Sequence, residues 1–242
     1  MNVDPDVAAH NAAQRRYFEE TPKPGMVPAD TPYLNRQVDE IVAFAGARPG
    51  ERILEVGCGM GRYTLLLAAR GLAVEGIDLS PVLLERLTGY AGDRFRIPVH
   101  AGDVAAPPPG LRNGFDVVLG LFALHHMKDL EGCFRGMAAL VKPGGRVVFL
   151  EPNAYNPLYY VQILVRPGMT WEGDGGMMKM RRQVVLGAME RAGLVRTSLR
   201  RFGFFPPFLA NRPWGGRLER RIEAFRPLEP VLPFQLFRGE RP

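Results

Sequence analysis

Three alternate glycines, Gly57, Gly59 and Gly61, follow directly on the apolar run Ile53-Leu54-Glu55-Val56 and lead into a helical pattern of leucines and alanines. Glycine has no Cβ, so a chain with this spacing can turn sharply and bring its backbone against a ligand. The first amides of a helix that starts there have no partner within the helix. About twenty positions further on, the second apolar run ends in Gly76-Ile77-Asp78-Leu79-Ser80, where an acid receives ribose hydroxyls in nucleotide-binding α/β folds. A nucleoside-like ligand is the reading this spacing supports.

Along the chain, strands alternate with single helices. Apolar runs predict strands over 52–56, 73–78, 95–101, 115–121 and 147–150. Between them lie helical patterns over 61–70 and 81–90, and a face marked by Leu130, Phe134, Met137 and Val141. Ser80 is placed to cap the second of these helices, with Pro81 at its first position. Lys142-Pro143-Gly144-Gly145 ends the third. A helix over 181–192 and strands over 194–204 and 232–238 complete the series. Such alternation predicts a doubly wound, Rossmann-like α/β sheet with helices on both faces and its ligand at the carboxyl ends of the strands. Residues 1–50, with helical patterns over 11–20 and 33–45, form an N-terminal cap. The core then spans 51–242, with irregular insertions over 154–180 and 205–231 that are suited to covering a substrate.

Charge and cysteine usage narrow the setting. Net charge is +6, but lysine occurs only at Lys23, Lys128, Lys142 and Lys179, and an arginine surplus of this kind often reflects coding bias. The surplus is also uneven, because residues 181–242 hold thirteen arginines against five glutamates. Two cysteines, Cys58 and Cys133, form no disulfide framework and lack metal-ligand spacing. The first residues show no secretory pattern, and no apolar run nears the roughly 20 residues a bilayer requires. A cytoplasmic protein is expected, with no metal.

The glycine loop separates two cofactors. A dinucleotide fingerprint started at Gly57 needs its third glycine where Arg62 stands. The pattern Glu55-x-Gly57-x-Gly59-x-Gly61 instead resembles the first motif of class I S-adenosylmethionine-dependent methyltransferases. The resemblance extends through Asp78, Gly102-Asp103-Val104, Phe115-Asp116-Val117-Val118 and Lys142-Pro143-Gly144-Gly145, so it covers about residues 50–152 in order. It implies a seven-stranded sheet, parallel except for an antiparallel last strand. S-adenosyl-L-methionine is the implied cofactor. Gly57, Cys58 and Gly59 would flank its methionine end, and Glu55 would organise its ammonium. Asp78 and Leu79 would lie at the ribose, Asp103 and Val104 at the adenine, and Leu121 along the methionyl and adenosyl portion.

Methyl transfer from a sulfonium needs positioning above all, and a base only where the acceptor is a hydroxyl. His125 and His126, after Phe122-Ala123-Leu124, stand at the expected mouth of the site. Both are candidate catalytic residues: the resemblance suggests a loop-shaping role for His126 beside the catalytic one, and leaves His125 either facing the acceptor or packed. His10 reads as a surface histidine and His100 as a strand histidine. Gly120-Leu121-Phe122-Ala123 replaces the Asn/Asp-Pro-Pro-aromatic signature of base-modifying enzymes, which argues against nucleic acid. The small-molecule branch, with quinone and natural-product methyltransferases, is the closest in kind. Its acceptor would be a small apolar molecule methylated on O, N or C.

Aromatic residues concentrate where such an acceptor would be covered: Tyr17, Phe18 and Tyr33, then Tyr155, Tyr159, Tyr160 and Trp171, then Phe205, Phe208 and Trp214. They either cap the acceptor or pack the insertions. Glu172 and Asp174 sit in the second group, either solvated or oriented on the acceptor. The mixture of arginines and aromatics over 200–221 suits either a substrate lid or a peripheral contact with an anionic membrane. Two other classes stay open at this level, a non-catalytic S-adenosylmethionine-binding regulatory subunit and a nicotinamide-dependent oxidoreductase.

Overall fold

A computed structural model describes residues 4–20, 24–165 and 175–242. Its centre is a seven-stranded sheet in the order β3-β2-β1-β4-β5-β7-β6. The strands are β1 (Arg52–Val56), β2 (Ala73–Asp78), β3 (Val99–Ala101), β4 (Phe115–Leu121), β5 (Val141–Pro152), β6 (Val195–Phe202) and β7 (Phe234–Glu240). β7 lies between β5 and β6 and runs antiparallel to both, while the remaining pairs are parallel.

Near-continuous apolar strands follow from burial on both faces. Successive side chains point to opposite sides, and the two cores divide along each strand accordingly. Ile53, Val117, Leu119, Val148, Leu150 and Leu236 belong to one core. Their neighbours Leu54, Val118, Val147, Phe149 and Phe237 belong to the other.

Helix α2 (Pro32–Ala45) covers the first face through Leu34, Val38, Ile41 and Ala45. Its ends are written in the chain. Thr31 Oγ1 accepts the Leu34 N–H at 3.3 Å, Pro32 opens the first turn, and Gly46 closes the helix at φ 62°. Helix α5 (Leu130–Leu140) covers the second face with Leu130, Phe134, Met137 and Leu140. It passes into β5 at Val141, and Lys142-Pro143-Gly144-Gly145 makes the expected turn as an irregularity inside that strand, where the pairing jumps from Phe115–Val141 to Val117–Arg146 and Gly144 takes φ 75°. Lys142 is tied to Asp116 at 2.7 Å.

Helices α3 (Thr64–Ala69) and α4 (Pro81–Ala91) complete the crossovers among the first strands. Ser80 caps α4 as its position predicts, accepting the Leu83 N–H at 3.1 Å. The helix expected from residue 61 starts at Thr64, because Gly61 takes φ 86° and is still part of the loop. The expected third strand shortens to Val99–Ala101. In the N-terminal region α1 runs from Pro5 to Glu20, longer than the apolar pattern implied. Beyond β5 come α6 (Pro157–Val165) and α7 (Arg182–Arg191), and between β6 and β7 come α8 (Pro207–Ala210) and α9 (Gly215–Glu223). No helix among the described residues is long and apolar enough to cross a membrane.

The chain leaves β1 towards β2 and β3, then returns to build β4 on the other side. That reversal opens a crevice at the carboxyl ends of β1 and β4. The loops leaving these strands meet there, where a Cβ added to Gly57 would lie 2.8 Å from the Ala123 Cβ.

Two glycines in helices offer a matched test of the packing. A methyl on Gly136 would overlap the Val104 carbonyl, whereas a methyl on Gly89 would meet nothing. Gly136→Ala should cost about 2–3 kcal/mol in chemical denaturation, and Gly89→Ala should gain up to about 1 kcal/mol.

Candidate active site

Glu55, next to last in β1, is buried at 2% exposure. Its Oε2 accepts the Thr64 hydroxyl at 2.6 Å, and among the described residues no cation is paired with it. Burial pushes its pKa up to about 8, against the pull of the Thr64 bond and with help from the Asp78 charge. A buried carboxyl in this condition is suited to an incoming ammonium.

The loop that follows takes left-handed angles at all three glycines, φ 70° at Gly57, 50° at Gly59 and 86° at Gly61. A Cβ at Gly59 would meet nothing, so the space beside that residue is open to a ligand. Cys58 turns the other way, buried with Leu84 and Leu87, and burial holds its thiol well above the ordinary range.

Asp78 ends β2 and anchors the loop. Its Oδ2 accepts the Gly59 N–H and its Oδ1 the Ser80 N–H, both at 2.9 Å. Burial raises its pKa against these backbone bonds. Leu79 is half-buried beside it. Asp103, just past β3, accepts the Ala105 N–H at 2.8 Å. Val104 points its side chain into the core, leaving its backbone for the site, and Leu121 is buried at the end of β4. The edge therefore gathers Glu55, Gly57, Gly59, Asp78 and Asp103 from three successive strands, as their spacing predicts.

Helix α1 has no buried residue, yet it hooks onto this edge through polar groups. Asn11 Nδ2 donates to Asp103 Oδ2 at 2.7 Å, and Ser80 Oγ donates to Glu19 Oε1 at 2.6 Å. His10 Nε2 donates to the His126 carbonyl at 2.8 Å. His10 is thus a contact of the site, not the surface histidine its surroundings in the sequence suggest. Its partner lies more than a hundred residues away, and nothing local announces it. His100 meets Glu75 at 2.8 Å on the strand, as expected.

The two candidate bases separate. His125 is buried at 8% exposure, and its Nδ1 lies 2.7 Å from Glu151 Oε2. Glu151 is fully buried at the end of β5, and its other oxygen accepts the Ala123 and Leu124 N–H groups at 2.8 and 2.7 Å. A carboxylate that accepts two amides also accepts the Nδ1–H hydrogen bond of the neutral ring, and in that tautomer Nε2 is the nitrogen without a proton. His126 packs instead, edge-on to Phe18 at 5.0 Å and against His125 at 3.9 Å. Glu151 is the residue that sequence reading missed. Its signal was an acid closing a buried strand, as Glu55 and Asp78 do.

An aromatic row borders the loop. Phe122 stands 6.0 Å from Tyr63 and 5.7 Å from Phe234, and Phe234 contacts Tyr33 at 6.1 Å and Phe202 at 5.4 Å. Tyr33 was expected here, while Tyr63, Phe122, Phe202 and Phe234 were not. Tyr155, Phe208 and Trp214 are exposed at 53%, 69% and 45%, so they do not line a closed pocket. Tyr17, Phe18, Tyr159, Tyr160 and Phe205 are half-buried. Trp171, Glu172 and Asp174 fall outside the described residues.

A family described as "Methyltransferase domain" matches residues 31–198. The ubiquinone biosynthesis O-methyltransferase of Stutzerimonas stutzeri is 31% identical over 210 residues, which cover 80% of this chain and 84% of that one. The demethylmenaquinone methyltransferase of Tropheryma whipplei is 34% identical over 110 residues, 44% of each chain. Among solved structures, the fold is shared with geranyl diphosphate C-methyltransferase of Streptomyces coelicolor, at TM-score 0.62, 18% identity and full coverage of both chains. It is also shared with phosphoethanolamine N-methyltransferase 2 of Haemonchus contortus, at TM-score 0.64 and 16% identity over 95% of this chain and 60% of that one.

The state of Glu55 has a measurable consequence. Its carboxyl stays protonated in the folded protein up to about pH 8 but ionises near the ordinary glutamate value of 4.5 once unfolded. The folded state then holds the extra proton, so stability is full below about pH 4.5 and is lost as pH rises towards 8. Thermal unfolding of the ligand-free protein should show a midpoint falling between pH 5 and pH 8, with a shallower fall for Glu55→Gln. Equal slopes for the two proteins would remove Glu55 as the titrating group.

Proposed function

Because the chain belongs to the methyltransferase family that its residues 31–198 match, and is accordingly an S-adenosylmethionine-dependent enzyme for a small molecule, we propose that its acceptor atom is the oxygen of a hydroxyl on an apolar ring. The observation that carries this reading is the His125–Glu151 pair at 2.7 Å. A ring oriented through Nδ1 by a buried carboxylate, with Nε2 as proton acceptor, is the device a hydroxyl acceptor needs, because the oxygen must lose its proton as it is methylated. The ubiquinone-pathway relative is itself named an O-methyltransferase.

The roles of the residues follow from their chemistry. When bound, S-adenosylmethionine supplies an electrophilic sulfonium methyl. Glu55 would receive the ammonium as a carboxylate, its proton passing to solvent. The left-handed turn at Gly57 and Gly59 brings backbone against the methionyl portion, Asp78 receives the ribose hydroxyls, and Asp103 with the Val104 amide faces the adenine. His125 Nε2 takes the acceptor proton while Glu151 holds Nδ1–H. Glu151 also fixes the Ala123 and Leu124 amides, so one carboxylate sets both the ring and the loop that carries it. His126 and Phe18 close the loop against α1.

S-adenosylhomocysteine formation with hydroxyarene acceptors tests the reading. Asp78→Ala should weaken cofactor binding about tenfold or more in calorimetry, equivalent to about 1.4 kcal/mol per factor of ten. His125→Gln should lower kcat about 10²–10³-fold with cofactor affinity kept and the acid limb of the pH–rate profile abolished. Cofactor binding with no turnover of any acceptor would favour a regulatory subunit.

We propose further that the 204–226 region docks on an anionic membrane surface. Phe208, Phe225, Trp214 and Leu218 are exposed at 69%, 60%, 45% and 42%. Interleaved with them are Arg212, Arg217, Arg220 and Arg221, all exposed. Arg212, Arg217 and Arg220 also line a cleft of ≈ 530 Å³ between α2 and α9. Within the same cleft Arg36 pairs with Glu219 and, at 2.6 Å, with Glu223, which ties α9 to α2. Aromatic rings settle at an interface while arginines draw on anionic head groups. Sedimentation with phosphatidylglycerol vesicles should fall at least fivefold for Phe208→Ala/Arg217→Glu/Arg221→Glu and weaken in high salt. Binding equal to that on phosphatidylcholine would exclude the docking.

A further inference from the structure

Phe122 takes φ 57°, in the left-handed region that a bulky L-residue avoids. Glycine would take the same angle without the steric penalty, so what is kept at this position is the ring. The backbone around it is held firmly enough to enforce the angle. Its N–H donates to the Leu150 carbonyl at 2.8 Å, and the next two amides are gripped by Glu151. Strain that persists under such restraint concentrates at functional sites. Ala123, which faces Gly57, and His125 lie one and three residues further on.

We infer that Phe122 is a specificity-determining residue whose ring forms the platform for a flat, unsaturated acceptor ring and sets its hydroxyl beside His125. The inference rests on the hydroxyl-acceptor reading and narrows it to a substrate class. The neighbours of Phe122 support a stacking surface. Tyr63 lies 34° from coplanar with it at 6.0 Å, and Phe234 stands edge-on at 5.7 Å with 74° between the planes. Tyr63 donates its hydroxyl to Gln37 Oε1 at 2.8 Å, and burial keeps that phenol neutral. Arg62 lies over the Tyr63 ring at 6.0 Å and Arg36 over the Phe202 ring at 5.8 Å, so cations hold the outer rings of the row while Phe122 and Phe234 at its middle offer ring faces and edges, and offset or edge-on contacts to a planar ring are the geometry such surfaces favour. A linear chain or a compact amine would gain much less from it.

Three proteins separate this role from core filling: the full chain, Phe122→Leu, which keeps apolar bulk without the flat face, and Phe122→Gly, which removes the ring and the strain together. Each is assayed with alkyl-substituted catechols and with aliphatic alcohols and amines of similar size. Cofactor-product affinity and the unfolding midpoint are measured alongside. The expected result is a KM for the catechols raised tenfold or more in both variants, with S-adenosylhomocysteine affinity within twofold. The unfolding midpoint of Phe122→Gly should be no lower than that of Phe122→Leu. Wild-type turnover of catechols with KM unchanged in both variants overturns the inference alone. So does a loss that follows cofactor affinity. A wild-type protein that methylates only the aliphatic acceptors, or none, overturns the hydroxyarene reading and this inference with it.

Discussion

The carboxyl edge of the sheet is organised by one close approach, that of Gly57 to Ala123 across the gap between β1 and β4. Any side chain at 57 would collide there, and φ 70° at that residue would strain any other residue as well. With glycine in place, the first loop lies flat on the fourth, and Asp78 can reach the Gly59 amide from the neighbouring strand. The result is a crevice walled by backbone on one side and by the 122–126 segment on the other. Cofactor edge and candidate base are neighbours because of that contact.

Carboxylates do the remaining positioning. Glu151 gathers two amides and a ring nitrogen, Glu55 waits with one hydroxyl, and Glu219, buried in α9, takes the Phe204 and Phe205 amides while pairing with Arg36. Each buried acceptor that is satisfied removes a loop's freedom at little cost, whereas an unsatisfied one would be expensive. Glu55 is the exception, with its pKa raised to about 8.

What was readable in advance was local or periodic. The strand ends at Val56, Asp78 and Leu121, the cap at Ser80 and the glycine loop depend on near neighbours, and each lies where its pattern indicated. The candidate site was legible on the same terms, as acids and glycines at the ends of apolar runs. His10 and Asn11 were not, because their partners His126 and Asp103 are distant in sequence and α1 has no apolar face to announce its docking. Phe122 read as one more apolar residue after β4, since its backbone angle is imposed by Leu150 and Glu151 on the next strand.

The amino-acid sequence alone determined the strand–helix alternation, the two-faced sheet and the kind of cofactor, because periodicity and glycine spacing act within a few residues and survive in one dimension. Tertiary structure alone decided which histidine a buried carboxylate holds, that Glu151 is that carboxylate, and which aromatic residues border the crevice. Those outcomes depend on hydrogen bonds and ring contacts between strands brought together by the fold, and the registers of β4 against β5 and of β5 against β7 set their distances.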